Sequence, residues 1–240
     1  MAAASAKALN PVLAGMTAAQ AGPANTNRKA PAEAGQPDPA RLSAQLFQLV
    51  STSLDGPRGI HPQSFIAAFG ALAGRSARWI VHREIDAGLI ADDFRTPTGV
   101  RRPGVSVSTH VDRHVHDLTG DSYAAALVPD LIAAGANWLP QINAMIQQNF
   151  MAINAPTYPD YTVAETHLPE IPPQALLMML WENTLTCLRS APHAERSAPK
   201  AFALATVKAA AMYEKKVPLD VSGQLALETA IAMSKLDYGF

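Results

Sequence analysis

Val105-Ser106-Val107-Ser108-Thr109-His110-Val111-Asp112-Arg113-His114-Val115-His116-Asp117 reads at two periods at once, and the winner decides whether this chain is purely helical. At the strand period, Ser106, Ser108, His110, Asp112, His114 and His116 share one face. Val105, Val107, Val111 and Val115 share the other. At the helical period, His110, His114 and Asp117 form a stripe beside Val111, Val115 and Leu118. Valine, threonine and histidine are weak helix formers. Thr109 and Asp112 nevertheless stand as a capping box would, with Asp for Glu, and Gly120 follows as a stop. The balance predicts extended backbone to Ser108, then a short helix to Leu118.

Upstream of this stretch the helical period is lost. Thr96-Pro97-Thr98-Gly99 and Pro103-Gly104 are turn chemistry, so residues 89–112 read as a Pro/Gly-rich excursion carrying a short β-hairpin. In that hairpin Ile90, Asp92 and Phe94 would pair with the Val105–Val111 side.

The rest is helical. Asp38-Pro39 is a start signal, the carboxylate taking orphan amides and Pro losing nothing at the first position. Leu42, Leu46, Leu49 and Val50 follow at helical spacing until Asp55-Gly56-Pro57. Pro62 opens a second run with Phe65, Phe69, Leu72, Ser76 and Ile80 on one face. Within it Gly70 and Gly74 lie one turn apart. Glycine costs about 1 kcal/mol against alanine inside a helix, so a closely approaching neighbour is expected there. Further runs begin near Asp121, Asn137, Pro172-Pro173, Ser197 with Pro199, and Asp220. Residues 154–171 read as a long surface loop, and Met145, Met178, Met179, Met212 and Met233 as pliable core filling. The expected fold class is all-α: a single-domain multi-helix bundle of six to seven helices over residues 39–240. Residues 1–38, without an aromatic or an isoleucine, read as a disordered Ala/Pro-rich tail.

Composition narrows function. In 240 residues the formal net charge is −1 and charged residues are 16%, against a usual share of about 25%. The densest basic patch is Arg95, Arg101 and Arg102, too little for the clustered phosphate contacts of nucleic-acid binding. No stretch reaches the roughly 20 apolar residues of a membrane span, and a cytoplasmic location is expected. The single cysteine, Cys187, sits among apolar residues as a structural thiol.

The chemistry-bearing feature is the histidine cluster. Imidazoles at i, i+4 of a helix, or i, i+2 of a strand, reach one ion, so His110, His114 and His116 with Asp112 or Asp117 form a candidate divalent-metal set, zinc being one such metal. Position 111 is Val where the metalloprotease motif needs its Glu, which excludes that reading. Glu165 and His167 in the long loop, and His82 with Glu84 or Asp86, are second-tier ligands. Glu182, inside the most apolar helix, is a candidate acid or base only if buried. Three functions follow as expectations. The first is a non-catalytic binding or assembly module meeting a protein partner, or a second copy, through residues 89–112. The second is a small metal-dependent, hydrolase-like enzyme at His110 and His114. The third is a helical pocket for an apolar small molecule, gated by the 154–171 loop with Tyr158 and Tyr161.

Overall fold

α1 (Pro39–Leu54) begins where Asp38 and Pro39 predict, with the Asp38 carboxylate accepting from the Ala40 amide at 2.9 Å. The computed structural model describes residues 38–137, 141–155, 158–190 and 194–237, so the expected tail falls outside the described residues apart from Asp38. Seven further helices follow: α2 (Pro62–Asp86), α3 (Thr109–His116), α4 (Tyr123–Ala133), α5 (Ile142–Ala152), α6 (Pro173–Ser190), α7 (Ala194–Tyr213) and α8 (Leu219–Met233). The fold is all-α. Among the described residues there are eight α-helices rather than six or seven, because the ambiguous histidine stretch makes one of its own. None is long and apolar enough to cross a membrane.

α2 is the axis. It is buried along most of its length and packs on α8, α7, α6 and α3, while α1 covers α7 and α6. Gly70 and Gly74 explain how close α8 comes. A Cβ on Gly70 would lie 2.3 Å from the Ala226 carbonyl oxygen, and one on Gly74 2.2 Å from that of Ala230. Two carbonyls one turn apart thus fill the two notches that the glycines leave. The expected neighbour is present, and it is the last helix.

Residues 89–112 form no hairpin. Arg95 pairs with Val107 and Val105 with Leu236, as isolated antiparallel bridges. The reason is burial. Val105 and Val107 point into the core at 3% and 8% exposure, and Ser106 donates its amide to the Lys235 carbonyl. Val105 takes its partner from the end of α8, which leaves Arg95–Val107 as the single pair within the excursion. Val105 and Val107 thus carry internal bridges. Helix α3 then starts from Ser108, whose hydroxyl accepts from the His110 and Val111 amides; Thr109 and Asp112 do not form the expected box.

The described part of the 154–171 loop is strapped down rather than loose. Tyr158 is buried with its hydroxyl donating to the Ala232 carbonyl at 3.1 Å, and the Tyr161 hydroxyl lies 3.1 Å from that of Thr229. Met145 and Met233 fill the core as expected. Met178, Met179 and Met212 do not, because Leu176, Leu177, Leu180 and Trp181 take the inward stripe of α6 and Met212 lies on the outer side of α7.

Replacing Gly70 or Gly74 by Ala should raise intrinsic helix propensity by about 1 kcal/mol yet destabilise the protein by about 1–3 kcal/mol, since the added methyl meets backbone that cannot rotate away. Urea unfolding measures this. A neutral or stabilising result would contradict the α2–α8 contact.

Candidate functional site

α2 carries two arginines into its buried length. Arg78 is 1% exposed and Arg75 is 5%. A buried guanidinium must spend its donors on fixed acceptors. Arg78 donates to the Ser106 carbonyl at 3.3 Å, the Ser106 hydroxyl at 3.0 Å and the Ser234 carbonyl at 3.2 Å. It lies 4.7 Å from the Phe94 ring centroid and 3.6 Å from the Asp237 carboxylate. Burial lowers its pKa to about 10, so it remains a cation at neutral pH. Arg75 faces the other Asp237 oxygen at 4.0 Å and stands 5.4 Å over Trp181. One carboxylate, itself 47% exposed, thus faces two buried cations.

Beside this pair, Lys235 donates its ammonium to Asp112, and His116 Nε2 lies 3.4 Å from the same Asp112 oxygen. Burial pushes the Lys235 pKa down while Asp112 opposes it. Burial pushes Asp112 up, but His116 and Lys235 outweigh it, and its carboxyl ends below the ordinary range.

This disperses the histidine cluster. Asp112 belongs to Lys235 and His116. His114 Nε2 faces Glu84 at 3.8 Å, with burial holding its pKa below the usual value against that carboxylate. Asp93 accepts from both the amide and the hydroxyl of Thr109, and the Asp93 carboxyl falls to about 2: donors from Ser108 and Thr109, with His110 nearby, outweigh a burial penalty. Asp117 accepts from the Thr119 amide and hydroxyl. His82 stacks on Phe94 at 4.5 Å. Glu165 and Glu182 are exposed, and half-buried His167 closes the short 3-10 turn Glu165–His167. Among the described residues no three of His, Cys, Asp and Glu gather as metal ligands would. Sequence spacing aligned the imidazoles along α3, but His114 faces Glu84 on α2 while His116 turns back to Asp112 on α3 itself.

The buried carboxylate is Glu228, 2% exposed in the middle of α8, which accepts from the Thr162 amide at 3.0 Å and from the Thr162 hydroxyl. Burial raises its pKa despite those donors. The signal that singled out Glu182, an acid inside an apolar helix, also marks Glu228.

The Asp237 end of this polar seam opens on a cleft of about 900 Å³, lined by Arg101, Arg102, Asn154, Gln174, Leu236 and Asp237 among others. Its walls are fastened. Asn154 accepts from the Arg101 amide at 2.7 Å and donates to the Gly99 carbonyl at 3.1 Å, clamping the 99–101 turn from both sides. Arg102 donates to the Ala155 carbonyl and covers the Tyr158 ring at 5.3 Å, while Gln174 donates to the Tyr158 carbonyl at 2.8 Å. The Asp237 amide donates to the Gly104 carbonyl at 2.6 Å. Gly104 has φ +70°, and a Cβ there would lie 2.7 Å from the Asp237 carbonyl, so no other residue suits this wall. Of these residues only Arg101 and Arg102 stand out in the sequence, as a basic pair. Asn154, Gln174 and Asp237 come from distant segments.

Two measurements test the polar groups. Lys235→Met leaves Asp112 without its cation, and a broken buried pair costs about 3–5 kcal/mol. The lower end applies, since the Asp112 side chain keeps 29% exposure. Asp112→Leu with Lys235→Met should cost much less than the two single changes summed, in a double-mutant cycle by urea unfolding; strict additivity would mean the pair does not interact. Glu228 titrates the other way. Its raised pKa means that the folded chain takes up this proton before the unfolded one does. Its contribution is full below the ordinary glutamate pKa and fades as pH rises through the raised value. Glu228→Gln should flatten that decline in the unfolding midpoint. An unchanged slope would exclude Glu228 as its source.

Comparison with protein-family models, with curated proteins and with solved structures gives no match to this chain.

Proposed function

We propose that this chain is a non-catalytic binding module whose binding place is the cleft between the 99–104 turn, residues 154–155, Gln174 and the segment following α8. The observation that carries this is the fastening of the cleft's walls: its polar side chains are positioned by hydrogen bonds within the protein before any ligand arrives. Such preorganisation lowers the ordering cost of association, and about 900 Å³ lies within the size range of small-molecule sites. The lining favours a polar ligand over the apolar one expected from sequence. Arg101, Arg102, Asn154, Gln174 and Asp237 offer donors and acceptors, and the loop tyrosines are turned toward α8.

Thermal unfolding against a panel of small polar metabolites tests this. A ligand at 100 times its Kd adds about 2.7 kcal/mol, or about 5–11 °C in Tm for a chain of this size. Ala155→Trp, which fills the cleft from its lining, should abolish the shift. A panel without effect, or a shift that survives Ala155→Trp, would remove the proposal.

A further inference from the structure

We propose that residues 158–163 form a proton-latched strap on α8: they stay docked while the Glu228 carboxyl keeps its proton and come away as it ionises. The latch goes beyond the binding reading, and it works whether or not the cleft holds a ligand.

The strap meets α8 at three successive places. Thr162 gives Glu228 its amide, at 3.0 Å, and its hydroxyl. The Tyr161 hydroxyl lies 3.1 Å from that of Thr229, and the Tyr158 hydroxyl donates to the Ala232 carbonyl at 3.1 Å. Tyrosine ionises only near pH ~10, so Glu228 is the tie that milder changes of pH reach. It is 2% exposed and its hydrogen-bond partners are neutral: Thr162 and, at 3.3 Å, the Gln224 amide. Among the described residues no cation pairs with it. The charge that acts on it is Asp160 of the strap, which shares its sign, and Tyr161 lies within its field. Around α8, α5 has no titratable residue, Tyr123 of α4 turns to Thr206, and the buried arginines of α2 face Asp237. Asp112 of α3 holds Lys235, and the charges of α6 stand exposed. A buried carboxyl without a counter-ion favours its neutral form. Undocking the strap returns Glu228 to water, where the proton leaves more readily, so docking and proton uptake are one equilibrium. The strap also begins at the cleft. The Tyr158 carbonyl accepts from Gln174 and its ring lies under Arg102, two residues of the cleft's lining, so release of the strap loosens that wall.

Hydrogen–deuterium exchange of the full chain from about pH 4 to about pH 8, corrected for the intrinsic rate at each pH, tests this. Strap amides are expected to exchange faster than those of α2, as in a local opening. Their protection is expected to be full at the acid end and to fall as pH rises through the raised Glu228 value, by at most about tenfold per pH unit. Glu228→Gln, which cannot ionise, is expected to hold the strap equally at every pH. Asp160→Asn, at an exposed position, removes the like charge and is expected to move the decline to lower pH. That second variant keeps the latch testable should Glu228→Gln fail to fold. Strap protection that is constant with pH, that rises with it, or that declines equally in Glu228→Gln would overturn the latch. So would strap amides that exchange no faster than those of α2, since the opening would then be unfolding of the whole protein. No ligand enters this measurement, so its failure is distinct from that of the thermal panel.

Discussion

The structure hangs on the contact between α2 and α8. Two glycines on one helix admit two carbonyls of the other, at a distance that any methyl group would forbid. That approach sets everything at the far end of α8. Ser234 reaches Arg78, Lys235 reaches Asp112 on α3, and Leu236 bridges to Val105. Had α8 stood off by the usual width of a side chain, these groups would end short of their partners and Arg78 would lose its Ser234 acceptor inside the core.

The polar seam and the hydrophobic core therefore depend on each other. Burying Arg75 and Arg78 is costly unless their donors are met, and acceptors for Arg78 come from segments ordered by apolar packing around Val105, Val107 and Phe94. The seam in turn fixes the short 104–108 segment, which has no sheet to hold it. A helical protein thereby keeps an extended segment in its interior without forming a strand, because side chains and the end of a helix supply the hydrogen bonds a ladder would have given.

Much of the framework was legible from local chemistry. The Asp38-Pro39 start, the glycine pair demanding a close neighbour and the apolar stripes of α2 and α6 each follow from rules that act within a few residues. The histidine cluster shows where such rules stop. The short helix from residue 109 carries Asp112, His114 and His116, but Asp112 pairs with Lys235 and His114 faces Glu84, and 123 residues separate Asp112 from its lysine. No local pattern encodes that pairing. The expected hairpin shrinks to the single Arg95–Val107 bridge for the same reason, since the partner of Val105 is Leu236. Glu228 was within reach of the criterion applied to Glu182. What separated the two was the outer face of α6 against the fully covered middle of α8, and coverage is a property of the assembled bundle.

The order in which the chain leaves the ribosome gives the α2–α8 contact another consequence. Arg78 and Ser234 are 156 residues apart. At about 5–20 residues per second of synthesis, α2 waits roughly 8–30 s for the helix that fills its notches. During that interval Gly70, Gly74 and Arg78 have no partner from α8. The α2–α8 contact is therefore a late one, closed only once both notches meet their carbonyls.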